Sequence, residues 1–196
     1  MSFLILTLIG LIINIIHSIV FLFVKNKEVI IIMHLIASFF TYYAFRFLLA
    51  MNLFLIRPNF IEDQFKKRLF FLLYAILLAI GLTIGYFTDA IHISRYGYPV
   101  WSLWFFLFII ILVGGCAILP ILAVSYKVFS MMKYRILKRR YFLFYVGIFC
   151  FSPLLFLIFL SNFLDNYLLR LITSIYSLLT PFWLYLIYYG IAKNLD

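Results

Sequence analysis

Two histidines stand at nearly matched distances from one short polar turn, Lys25–Glu28. His17 lies nine residues before Asn26 and His34 eight after it. On two helices joined there, each imidazole sits about 12–14 Å from the turn at 1.5 Å per residue. The two rings then share one depth. Each belongs to a polar run: Thr7, Gly10, Asn14, His17 and Ser18 on the first helix, His34, Ser38, Thr41, Tyr42 and Arg46 on the second. Residues three or four apart lie on one helix face. Three kinds of chemistry fit. Two imidazoles can ligate a haem iron, although a haem would rest on this single pair, and no cofactor or metal is expected. Asn14, His17, His34, Ser38, Tyr42 and Arg46 can instead line a ligand pocket. Or the same groups hydrogen-bond between helices and hold them together.

Charge offers two further candidates. Arg46 is the one charged residue well inside an apolar run. An intramembrane charge is costly and points to function by default. At about 16 residues beyond Ile30, it either snorkels to the nearer interface or pairs with a partner or ligand. A basic segment, Lys127–Arg140, carries Lys133, Arg135, Lys138, Arg139 and Arg140. Such a cluster contacts anionic lipid or an acidic partner, or serves only as a topology signal. The segment Thr88–Tyr98, with Asp89, His92 and Arg95, reads as the longest polar loop on the opposite side: a lid, or an ordinary solvated loop. Cys116 and Cys150 fall inside apolar runs, where thiols pack as small apolar groups. Phosphate-binding glycine loops, H-E-x-x-H, C-x-x-C and G-x-S-x-G are absent, so no enzyme is expected.

The elements that must position these groups are six apolar runs: 3–24, 30–56, 69–87, 101–124, 141–160 and 168–192. Each approaches the roughly 20 residues that cross a 30 Å hydrocarbon core, and each must be helical to satisfy its backbone in lipid. With 68% hydrophobic and 11% charged residues, the composition excludes a soluble fold. The expectation is an all-α polytopic membrane protein, one domain over residues 1–196, built as a bundle of six transmembrane helices. The first run lacks a basic leader and a cleavage site and reads as a retained helix. Eleven basic residues fall on the side of the second and fourth loops and the C-terminus, against four on the other. The positive-inside rule then puts both termini in the cytoplasm, or on the matrix side if the chain is organelle-encoded. This explains the net charge of +10 without nucleic acid. Pro120, Pro153 and Pro181 lie mid-run and predict kinks, above all beside Gly114-Gly115. Abundant Phe and Tyr fit an AT-rich genome. No internal repeat and no mid-membrane carboxylate appear, which argues against an inverted-repeat or proton-driven carrier.

The second half resembles the seven-helix sensor region of membrane histidine kinases. The residues that carry the resemblance are Tyr96-Gly97-Tyr98-Pro99-Val100-Trp101, the basic Tyr134–Arg140, Gly147, and the ending Tyr188–Asp196. It departs from that pattern in having six runs and no output domain after Asp196. The resemblance implies a non-enzymatic sensor or ligand-binding subunit that signals through a separate partner. The alternatives are a structural subunit of a larger respiratory or energy-converting membrane complex, and a small transporter component. Expected partners are membrane lipids and other membrane subunits.

Overall fold

The computed structural model describes residues 5–10, 12–13, 15–16, 26–56, 64–94 and 97–192. Helices dominate: α1 (Lys27–Ile56), α2 (Gln64–Phe87), α3 (Leu103–Met131), α4 (Arg135–Phe163), α5 (Tyr167–Ser177) and α6 (Thr180–Ala192). Residues 5–10 are also helical, and Gly10 packs against Ala37 and Thr41 of α1. Four helices, α1 to α4, are long and apolar enough to cross a membrane; α5 and α6, bent by 41° where they meet, are long and apolar enough for a fifth only if taken together as one span. The all-α, multi-pass reading therefore holds at four to five spans among the described residues. The first expected span, 3–24, falls largely outside them.

Helix ends depart from the apolar runs in one direction. The run 141–160 is the middle of α4, which has 29 residues. At 1.5 Å per residue α4 is about 43 Å long, well beyond a 30 Å core. Hydropathy marks only the lipid-embedded part of a helix, whereas long basic side chains let the helix continue through the interface. The expected long loop Lys127–Arg140 is thereby corrected to a three-residue turn at 132–134, with Lys127 on α3 and Arg135–Arg140 on α4.

The opposite end also differs from expectation. In place of a polar loop, Ile91–Ile93 and Pro99–Trp101 pair as antiparallel strands β1 and β2, with Ile91 opposite Trp101 and His92 opposite Val100. Gly97, at φ 85°, makes the turn that only a residue without Cβ adopts readily. Ala90, Ile91, Val100 and Trp101 are buried, while Asp89 and His92 stay exposed. The ribbon plugs this end of the bundle with apolar residues. Its alternation was hidden because a three-residue strand is too short for a period to show.

The three prolines act differently. Pro181 sits in the first turn of α6, where its missing N–H is harmless, and it marks the restart after the break at 178–179. Pro153 lies inside an unbroken α4. Pro120 follows a nine-residue π-helical segment, Ile110–Ile118, in which the Leu119 N–H reaches the Gly114 carbonyl. A proline ring clashes with the carbonyl four residues back. Widening the preceding turn, which Gly114-Gly115 permits, relieves that clash.

Lipid is as apolar as the helix surfaces, so helices are held by close packing and polar contacts. α4 and α6 approach most tightly: a Cβ at Gly190 would lie 2.5 Å from the Cβ of Phe144 and 2.7 Å from its backbone nitrogen.

Candidate functional site: an arginine clasp at the waist of the bundle

The polar stripe of α1 faces inward. His34, Ser38, Tyr42 and Arg46 recur every four residues, so they follow one slowly rotating face. Ser38 and Tyr42 are buried, and the Tyr42 ring meets Phe159 of α4 edge-on at 5.6 Å. Tyr74 of α2 donates its hydroxyl to the Tyr42 carbonyl at 3.5 Å.

Arg46 ends the stripe. Its helix continues ten residues to Ile56, about 15 Å, but the guanidinium does not follow it. The guanidinium turns sideways instead. Nε donates to the Phe70 carbonyl of α2 and Nη1 to the Cys116 carbonyl of α3, both at 3.3 Å. The guanidinium carbon lies 3.5 Å from the centroid of the Phe70 ring and 5.0 Å from that of Tyr74. Cation–π contact of this kind strengthens away from water. The Cys116 carbonyl has a particular history. In α register it would accept from residue 120, and Pro120 has no N–H to give. Arg46 thus joins α1, α2 and α3 at the carbonyl that the proline leaves without its regular donor.

Two polar clusters flank this waist. Toward the turn at 132–134, Tyr141 of α4 donates its hydroxyl to Oδ1 of Asn52, whose Nδ2 donates to the Leu48 carbonyl at 3.1 Å. Asn52 is 0% exposed and Tyr141 4%; Ser125 of α3 is also 0% exposed. Toward the ribbon, Trp101 donates its indole N–H to Nε2 of His34 at 3.2 Å. The neutral ring therefore carries its proton on Nδ1, and the Nε2 lone pair is engaged with the ribbon. Arg170 of α5 donates through Nη2 to the Pro99 carbonyl at 3.0 Å and lies over Tyr98 at 4.8 Å. Helix α5 is inside-out: Thr173 is buried while Leu168, Leu171, Ile172 and Ile175 face outward.

Of the ligand-binding candidates, the structure thus brings His34, Ser38, Tyr42 and Arg46 to the bundle interior. Asn14 and His17 lie outside the described residues, so the meeting of His17 with His34 falls outside them too. The basic candidates gather at the other end. Lys133, Arg135 and Arg139 are exposed, Lys138 and Arg140 half-buried, and Lys138 Nζ sits 5.0 Å from the Phe129 ring centroid. Exposed Tyr134, Ile136 and Leu137 interleave with them. Among the described residues no three His, Cys, Asp or Glu side chains converge as a metal site would need.

Between α1 and α2, near the ribbon end, runs an open groove of about 270 Å³. Ile32, Leu35 and Phe39 line one wall, and Ala79, Thr83 and Tyr86 the other. Asn52, Tyr141, Trp101 and Arg170 are positioning groups that the apolar runs do not single out. The available signal was the same for all four: a polar atom set inside or beside an otherwise apolar run.

No protein-family model, curated protein or solved structure matches this chain.

Proposed function

We propose that this protein is a non-enzymatic membrane sensor or ligand-binding subunit that signals through a separate partner, as the resemblance to kinase sensor regions implies. The observation that carries the reading is the Arg46 bond to the Cys116 carbonyl. It couples the inward polar stripe of α1 to the middle of α3. Lys127, at the start of the basic segment, lies eleven residues beyond Cys116 on the same helix, about 16 Å away. π segments recur at functional sites, and a ligand that changed the Arg46 contact would act directly on this one. In this reading both termini and the basic turn face the cytoplasm, as the positive-inside rule expects, and the partner reads the turn.

The test is recovery of partners from native membranes in mild detergent, using the tagged chain, Arg46→Gln, and a variant with Lys138, Arg139 and Arg140 all changed to Gln. The reading expects a partner lost in the triple variant and altered in yield by Arg46→Gln. Fixed-stoichiometry subunits indifferent to both changes would overturn it. That result would favour a structural subunit of a larger complex, a reading supported by the row Leu69, Leu72, Leu73, Ile76, Ile80 and Ile84, exposed along α2.

A further inference from the structure

We infer that His34 and Trp101 form a proton-operated latch: a proton taken up at Nε2 of His34 releases the ribbon β1–β2 from α1, at the end of the bundle that the ribbon plugs. The latch needs no signalling partner and so goes beyond the sensor reading.

The contact exists in one protonation state only. Trp101 donates its indole N–H to Nε2 of His34 at 3.2 Å, with the ring centroids 6.0 Å apart. A neutral imidazole has one lone pair to offer there; an imidazolium has none and presents an N–H in its place. An indole nitrogen only donates, so two N–H groups would then face each other with no acceptor between them. Histidine is the side chain whose charge changes between pH 5 and 8. His34 is half-buried, so a proton reaches the ring without helix α1 unfolding. Trp101 is 2% exposed and meets Phe105 edge-on at 5.3 Å and Phe159 at 6.2 Å. A new charge beside these rings is costly, and moving the ribbon away from α1 lets water reach it.

The ribbon's second hold does not titrate in this range. Arg170 of α5 donates to the Pro99 carbonyl at 3.0 Å, and a guanidinium keeps its charge throughout. Loss of the His34 contact therefore frees the ribbon from α1 while α5 still holds it, so the ribbon tilts and stays attached. The other ionisable groups at this end are few. Lys27 and Glu28 begin α1, Asp89 and His92 belong to the ribbon, and Asp165 precedes α5; all five are exposed. Tyr42 of α1, Tyr86 of α2 and Tyr98 of the ribbon titrate near pH 10. Helix α3 has no ionisable side chain before Cys116, and α4 has none after Cys150. His17 and Arg95 lie outside the described residues. Among the described residues, His34 is thus the group that both titrates near neutrality and holds the ribbon.

Tryptophan fluorescence of the purified full chain tests this. The chain has three tryptophans, so Trp104→Phe with Trp183→Phe leaves Trp101 as the one reporter. Its emission and its quenching by acrylamide are followed from about pH 8 to about pH 5, with circular dichroism recording helix content. The latch expects a reversible red shift and stronger quenching as pH falls, at constant helix content. His34→Gln, whose amide oxygen accepts the indole N–H but takes up no proton in this range, should abolish the response. The chain has three histidines, so His17→Gln combined with His92→Gln should leave the response intact. Emission indifferent to pH, a response that survives His34→Gln, a response lost with His17 and His92, or one that tracks loss of helix would each overturn the latch. If His34→Gln does not fold, the double histidine variant decides by elimination. Partner recovery at neutral pH tests the sensor reading separately, so either reading can fail without the other.

Discussion

The bond between Tyr141 and Asn52 joins α4 to α1 across 89 positions of sequence, and its worth can be worked out. Both residues are buried, and Asn52 is 0% exposed. Tyr141→Phe keeps the ring and strands the Asn52 oxygen. In a soluble protein an unsatisfied buried acceptor costs about 1–3 kcal/mol. In a membrane the unfolded reference also finds polar partners, and measured pairs average about 0.6 with a maximum near 1.7 kcal/mol. The expected loss is therefore about 1 kcal/mol. Asn52→Leu, which removes the acceptor of the Tyr141 hydroxyl, should cost a similar amount. The double variant removes both partners and should cost less than the sum of the two. A coupling of about 0.6–1.7 kcal/mol between them is the signature of the bond. Reversible unfolding in mixed micelles, followed by circular dichroism, measures all three. Additive losses, or no loss in Tyr141→Phe, would show that the two helices are held by packing alone.

Three other outcomes follow from the same geometry. In a Pro120→Ala background the Cys116 carbonyl regains a backbone donor, so the stability cost of Arg46→Gln should fall by about 1 kcal/mol; equal costs in both backgrounds would detach the clasp from the proline. Gly190→Ala should destabilise by about 1–3 kcal/mol through overpacking, since its Cβ would sit 2.7 Å from the Phe144 nitrogen; an unchanged unfolding midpoint would disprove that contact. Changing Lys138, Arg139 and Arg140 to Gln should lower preferential retention of anionic over zwitterionic lipid by about tenfold, allowing up to about 1 kcal/mol per charge, and the difference should shrink at high salt. Preference that is unchanged, or insensitive to salt, would leave these residues as topology signals.

What could be read from residues alone was the part set by long-range averages. Runs of about 20 apolar residues declare helices whatever their partners, so α1 to α4 were legible. The stripe His34–Arg46 was legible as a face because period 3.6 needs only spacing. Three things were not. The ribbon at 91–101 is too short for periodicity, and its buried Ile91 and Trp101 depend on helices distant in sequence. The basic segment looked like a loop because charge ends a hydropathy window without ending a helix. The direction of Arg46 was open between snorkelling and pairing, since the deciding group is a carbonyl 70 positions away, and no sequence pattern marks an acceptor on the backbone.

That acceptor points to how so apolar a chain specifies its packing. Apolar surfaces do not choose partners in lipid, so specificity has to come from a few polar contacts. Side chains able to make them are scarce here, but a proline within a helix deprives the carbonyl four residues back of its donor. Arg46 donates to Cys116, four residues before Pro120. Tyr176 of α5 donates to Cys150, three residues before Pro153, at 2.9 Å. In both cases a side chain from another helix bonds to backbone beside the proline, where the regular ladder is weakest. The two contacts tie different pairs of helices, α1 to α3 and α5 to α4. They differ in charge as well. Tyr176 gives a neutral bond, complete in itself, and it fixes α5 against α4. Arg46 brings a positive charge that a carbonyl does not neutralise, so its contact draws on the Phe70 and Tyr74 rings as well as on the carbonyl.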